Sequence, residues 1–379
     1  VFLALRELSF ARARFALMGA VVALIAILMV LLSGLSVGLV NDGVSGLKKV
    51  PATSFAFADG VAHDAAFSRS VVDVDAVEAW REVDGVRDAA PYGNLLVNAR
   101  SDAGVDIDLA LFGVESDSFM APEPTEGEPL GDAPTGVVVS ETATDEGIEI
   151  GDTLTLAQVG TELTVVGVLE GQHTFGHVDV AYVPLRTWQE VKVGASPDDV
   201  AAGDLPERTY REVTAVAVRA ADSADLAAAD RAAGTESLAL EESFGASPGY
   251  TAETSTLLLI QVFLYAIGAL VVGAFFTVWT IQRSHELAVL RAMGAPTGYL
   301  LRDSLAQSLV LLVLATGVGV GIGVGAGALI GSTPMPFALD TGAITLAAVL
   351  LVVLGLAGSA VAALRVARID PLTALGGHR

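Results

Sequence analysis

Four long apolar runs, at residues 15–40, 256–281, 305–330 and 343–364, fall as one and three around about two hundred residues of mixed pattern. At about 1.5 Å of rise per residue, each run as a helix crosses a hydrocarbon core of about 30 Å. The pattern predicts an integral membrane protein with four spans. The first run is far longer than the roughly 7–15 residues of a signal-peptide core. It reads as a retained span, entered from an amphipathic stretch in which Leu3, Leu5, Leu8 and Phe10 alternate with Arg6, Glu7, Arg12 and Arg14.

Between the first two runs the periodicity changes. Short segments rich in Val, Leu and Thr, bounded by Gly, Asp or Pro, predict strands at 95–99, 105–112, 136–140, 153–158, 162–169, 178–183 and 213–218. Val74, Val77, Trp80 and Val83 share one face of a helix predicted over 73–83. Further helices are expected at 187–193 and 220–240. The fold class is thus a membrane α-helical protein, 1 + 3, carrying an extracellular α+β domain, expected in two lobes joined by the loop 122–134.

Charge orients this arrangement. Of 21 Lys and Arg and 44 Asp and Glu, residues 43–252 hold 12 and 37, so that segment carries −25, more than the whole net charge of −23, and the rest of the chain is nearly neutral. The remaining basic residues gather at Arg6, Arg12 and Arg14, at Arg283, Arg291 and Arg302, and at Arg365, Arg368 and Arg379. Short Arg-rich segments stay in the cytosol. Both termini and the second connection are therefore expected inside and the acidic domain outside. The division is a cytosolic helix at 1–14, spans at 15–42, 253–282, 303–331 and 342–366, the extracellular domain at 43–252, a cytosolic segment at 283–296 and a cytosolic tail at 367–379. There is no cysteine, so the outer domain must be held by its core rather than by disulfides.

In the third run, Gly317, Gly319, Gly321, Gly323, Gly325 and Gly327 precede Gly331, a pattern that reads as close helix packing. Between the second and third runs, Arg283, Glu286, Leu290 and Arg291 suit a short charged helix, with Gly294 as its C-cap and Pro296 as its stop. Such a helix at the inner face is a docking element. His173 and His177 flank Gly176 between two expected strands and read as a surface turn pair, because a metal site needs three or more convergent ligands.

The stretch from Arg283 to Ala295, Arg-Ser-His-Glu-Leu-Ala-Val-Leu-Arg-Ala-Met-Gly-Ala, resembles the signature after the second span of ABC-transporter permeases of the MacB, FtsX and LolC/LolE type. Ala367-Arg-Ile-Asp-Pro-Leu-Thr-Ala-Leu375 is similar to the same family's closing motif, and the 1 + 3 topology agrees over essentially the whole chain. The resemblance implies a coupling helix, with Arg283, His285, Glu286, Leu290, Arg291 and Gly294 seated on a separate ATPase. It also implies a homodimer of permeases on two ATPase copies, working by mechanotransmission. No Gly-x-x-x-x-Gly-Lys-Ser/Thr phosphate loop is present. The chain is therefore expected not to be an enzyme, with ATP and magnesium on the partner subunit. No nucleic-acid partner is expected.

The stretch from His173 to Pro184 and the overall size look most like the heme-efflux permeases of Gram-positive bacteria. This implies heme as a transported ligand, with no cofactor bound permanently and no metal held by the protein alone. Tyr250, Glu253, Leu257, Gln261 and Tyr265 recur at spacings of three to four along the second span, and polar side chains at membrane depth are functional candidates. Facing a twin across the dimer, they would line a cavity with Met29, Ser33 and Val37 of the first span and Asn41 at its mouth. Membrane lipid would supply the substrate sideways. The alternatives are hydrogen bonds between helices for Gln261 and Tyr265, a non-transporting signalling permease of the FtsX kind, and an exporter of another amphiphile such as an antibiotic, peptide or lipoprotein.

Overall fold

The structure, a computed structural model, describes residues 12–131, 133–282, 296–333 and 335–367. They divide into two compact units, Leu39–Thr254 and the residues on either side of it.

The membrane unit is built on four long helices, Arg12–Lys48, Tyr250–Gln282, Thr297–Ile330 and Thr341–Ala367, of which 39–48 and 250–254 belong to the external unit. All four are long and apolar enough to cross a bilayer. Phe15, Met18, Val22, Ile25, Val272, Phe276, Leu312 and Leu351 form its interior, closed at one end by Phe15 edge-on to Trp279 at 4.8 Å. Leu258, Leu259, Phe263 and Leu270 are exposed.

Glycine sets the helix spacing. A Cβ at Gly319 would run into the Ala23 carbonyl and the Ala26 methyl, and one at Gly323 would come within 2.9 Å of Val30, whereas Gly317, Gly321 and Gly325 face open space. One stripe of the glycine-rich helix therefore lets the first helix approach, and the other has no neighbour among the described residues. Ser308 and Ser359 share a buried hydrogen bond of 2.5 Å between the third and fourth helices. After the third helix the chain folds back, and Phe337 packs on Gly34 and Gly327 while the Ala338 amide donates to the Gly34 carbonyl at 3.1 Å.

The first helix runs to Lys48, beyond the limit of 42 expected from the sequence. It is kinked at Val44 (φ −145°, ψ 15°). Asn41, Asp42 and Gly43 read as a stop, but Val44 and Leu47 are fully buried in the external unit's core, and that packing carries the helix on.

Among its described residues the external unit holds thirteen strands: β1 Ser54–Ala58, β2 Val72–Asp73, β3 Val86–Ser101, β4 Asp106–Val114, β5 Glu126–Gly127, β6 Gly136–Ser140, β7 Thr153–Leu156, β8 Glu162–Leu169, β9 Thr174–Phe175, β10 Val178–Pro184, β11 Glu212–Val213, β12 Ala215–Ala220 and β13 Thr235–Ala239. Its main sheet runs β13-β1-β12-β3-β4-β10-β6-β8-β5, with β7 on β3 and β8 and β9 on β10. The pairs β4–β10 and β6–β8 are parallel and the others antiparallel. Aromatics fill the middle: Phe55, Phe67, Tyr92, Phe112 and Phe175 meet mostly edge to face at 5.0–6.0 Å. On the other side, Trp188 of the helix Leu185–Lys192 lies over Gly93 and Gly113, where any Cβ would strike its side chain.

Three expectations are corrected. The 220–240 helix is confined to Leu226–Ala233, and Thr235–Ala239 is instead a strand paired with β1; Gly234, at φ 66°, ends the helix. The strand expected at 95–99 is the 16-residue β3, whose Pro91 and Gly93 weaken the strand signal without preventing pairing to β12 and β4. The two lobes are two halves of one sheet joined through β3. The 122–134 loop does not link them, since its Glu126 and Gly127 pair with β8.

Candidate functional site

Polar side chains inside an apolar helix bundle are costly unless something uses them, and the membrane unit brings several to one place. A cavity of about 180 Å³ is lined by Met29, Ser33, Ser36 and Val37 of the first helix, Gln261 and Tyr265 of the second, and Ala343, Leu346 and Ala347 of the fourth. Spacings of three and four keep each set on one helix stripe. The small side chains at 33, 36, 343 and 347 leave the room. Met29 and Ser33 are buried, and Gln261 and Tyr265 half-buried. Neither the Gln261 amide nor the Tyr265 hydroxyl has a hydrogen-bond partner among the described residues. Leu257 lies half-exposed one turn before Gln261 and outside the cavity lining.

Asn41, Tyr250 and Glu253 belong to the external unit. Asn41 accepts from Lys48 Nζ at 2.8 Å, and Tyr250 packs edge-on to Phe244 at 6.4 Å. Glu253 is engaged by His177, whose Nε2 lies 3.1 Å from its Oε2, while His177 Nδ1 lies 2.8 Å from Asp42 Oδ2. Burial acts against a charge on this imidazole. The hydrogen bond to Asp42 and the charges of Glu253 and Asp42 outweigh it, and the pKa is raised above 6.5.

His173 behaves oppositely. Burial, helped by the Lys49 charge, pushes it down to about 4, and its Nδ1 is buried without a partner. Beside it, burial lifts Asp179 to about 6 despite hydrogen bonds from Thr142 and Ser140. The expected histidine pair is therefore one neutral, enclosed ring and one bridged ring at a hairpin tip.

The sequence reading missed Ser36, Ala343, Leu346 and Ala347. Serine and alanine in a span carry no signal that separates a cavity wall from a helix contact. Arg283, His285, Glu286, Leu290, Arg291 and Gly294, the expected coupling residues, lie outside the described residues, as does nearly all of the closing motif.

Residues 15–235 match the family of MacB-like periplasmic core domains, and residues 257–371 match the FtsX-like permease C-terminal family. Over 99% of both chains, this chain is 23% identical to a Staphylococcus epidermidis protein described as a candidate hemin transport system permease, HrtB. It is 25% identical to an uncharacterized ABC transporter permease of Mycobacterium tuberculosis, covering 100% of this chain and 99% of that one. The solved periplasmic region of MacB from Actinobacillus actinomycetemcomitans aligns at a TM-score of 0.36 and 13% identity, over 51% of this chain and 90% of that one.

Proposed function

The chain belongs to the MacB/FtsX family of ABC-transporter permeases, and on that premise we propose that it exports heme or a closely similar flat amphiphile, driven by a separate ATPase. The observation that carries this reading is the cavity. It has an apolar wall, the Met29 thioether as a soft ligand of the kind iron accepts, and the polar ends of Gln261 and Tyr265, unpaired among the described residues. Sites for ligands of this size occupy roughly 300–1,000 Å³, and one chain offers about 180 Å³. In this reading a second copy supplies the remainder, and the substrate enters from the lipid.

Energy arrives from elsewhere, because the sequence has no phosphate loop. ATP and magnesium belong to the two ATPase subunits, docked at Arg283, His285, Glu286, Leu290, Arg291 and Gly294. The acidic external unit lies outside, and Arg283, Arg291 and Arg302 inside. Mechanotransmission is supported by the first long helix, whose last turns bury Val44 and Leu47 in the external core. A helix so rooted hands its displacement to the sheet around it.

Growth in hemin tests the proposal. Cells lacking the gene should become hemin-sensitive and be rescued by the wild-type chain but not by Gln261→Leu or by the double reversal Glu286→Lys, Arg291→Glu. Division defects with unchanged hemin tolerance would favour a signalling role and contradict the proposal.

A further inference from the structure

His177 holds a backbone conformation that side chains avoid. It has φ 67°, the only positive φ among the described non-glycine residues, at the tip of the β9–β10 hairpin. Such a conformation persists only where its surroundings fix it.

Hydrogen bonds to the end of the first long helix fix it. The Gly176 amide donates to the Gly43 carbonyl at 2.8 Å. The Thr174 amide donates to Ser45 Oγ at 2.9 Å, and the two hydroxyls pair at 2.8 Å. Gln172 Nε2 donates to Asp42 Oδ1 at 3.0 Å. The hairpin is thus stitched along the end of the first long helix, and at its tip the imidazole reaches two carboxylates from different segments. Asp42 stands in the last turns of the first long helix and Glu253 in the first turn of the second.

A neutral imidazole has one N–H and can donate to only one of them. Only the charged ring, with two, satisfies both. We propose that Asp42, His177 and Glu253 form a latch, closed while the imidazole is charged and loosened when it is neutral, that ties the hairpin to the adjoining ends of both helices.

The other charged groups nearby do not replace it. Lys48 is turned to Asn41 and Lys49 to the Glu170 carbonyl, while Asp179 adds negative charge on the Asp42 side. The raised pKa fixes the sign: the latch is at full strength below pH 6.5 and is lost as pH rises through the folded-state value above it. Its existence does not depend on what the cavity carries.

Hydrogen exchange of the full chain in detergent, corrected for the intrinsic pH dependence, tests this at pH about 6 and about 8.5. Wild-type amides at 174–178 should lose about fivefold in protection at the higher pH, as befits two partly exposed ion pairs. His177→Asn keeps a residue tolerant of the left-handed backbone but carries no charge, and should be weakly protected at both values. Glu253→Gln should lower the His177 titration midpoint seen by NMR and reduce protection only at the lower pH. Protection independent of pH in the wild type, or wild-type protection at pH about 6 in either variant, would overturn the latch.

Discussion

The two units of this chain solve the packing of a mostly apolar sequence in opposite ways. The external unit buries bulk: Trp80, Trp188, Tyr92, Phe55, Phe57, Phe67 and Phe112 are all essentially inaccessible. The membrane unit turns much of its bulk outward, with Leu258, Phe263 and Leu270 more than half exposed. Its helices meet over a smaller set of large side chains, Phe15, Phe276 and Leu312 among them, and come closest where glycine allows, at Gly319 and Gly323. In water, burying large side chains is itself the driving force. In lipid it is not, and closeness of approach becomes the source of stability. The same abundance of Val, Leu and Ala therefore means a core in one region and a coat in the other.

Truncation in the external unit should be the most damaging change. Trp188→Ala removes a side chain packed on Gly93 and Gly113 and should cost about 4 kcal/mol, seen as a lower denaturation midpoint of the full chain with exchange spreading through β3 and β4. An aromatic-to-alanine change at the exposed Phe263 of the membrane unit should leave the midpoint nearly unmoved.

The membrane unit should fail in the reverse sense, by enlargement. Gly319→Val meets the Ala23 backbone and should cost about 3 kcal/mol, whereas Gly321→Val, on the open stripe, should be nearly neutral by the same melting measurement. Equal costs would dissolve the distinction between the stripes.

Charge sharpens the contrast next. Asp179 has its pKa raised to about 6, so its contribution to stability is full below pH 3.8 and is lost as pH rises through about 6. Asp179→Asn should gain about 2 kcal/mol above that point, after allowance for partial solvent screening, and nothing at pH about 4. Unfolding midpoints at the two pH values check it. Smallest is the buried hydroxyl pair of the membrane unit. Ser308→Ala should cost only about 0.6 kcal/mol, since bonds between membrane helices are modest.

The same contrast explains what could be read from the sequence. A lipid-crossing helix must be apolar over its whole length, so four runs were plain. Strands such as β6 and β8 were bounded by their own Gly and Asp. The strand β1, Ser-Phe-Ala-Phe-Ala, is buried on both faces between β12 and β13 and gives no alternation to detect. The length of β3 was hidden by Pro91, and the last turns of the first helix by Asn41–Gly43, because in each case distant packing overrides a local signal. At the cavity, Gln261 and Tyr265 stood out as polar groups in an apolar run, but Ala343 and Ala347 looked like any helix contact. His177 lies 135 residues from Asp42 and 76 from Glu253, and no spacing rule joins them.

Whether the cavity of the membrane unit receives heme, as proposed, is decided by titrating the purified full-length protein in detergent with hemin and following the Soret band. The account predicts saturable binding whose Kd weakens about tenfold or more in Met29→Ala and in Gln261→Leu, as expected for the loss of one ligand or hydrogen bond worth about 1.4 kcal/mol, and stays unchanged in Gly321→Val. Saturable binding indifferent to both cavity variants, or no saturable binding by the wild-type chain, would contradict it.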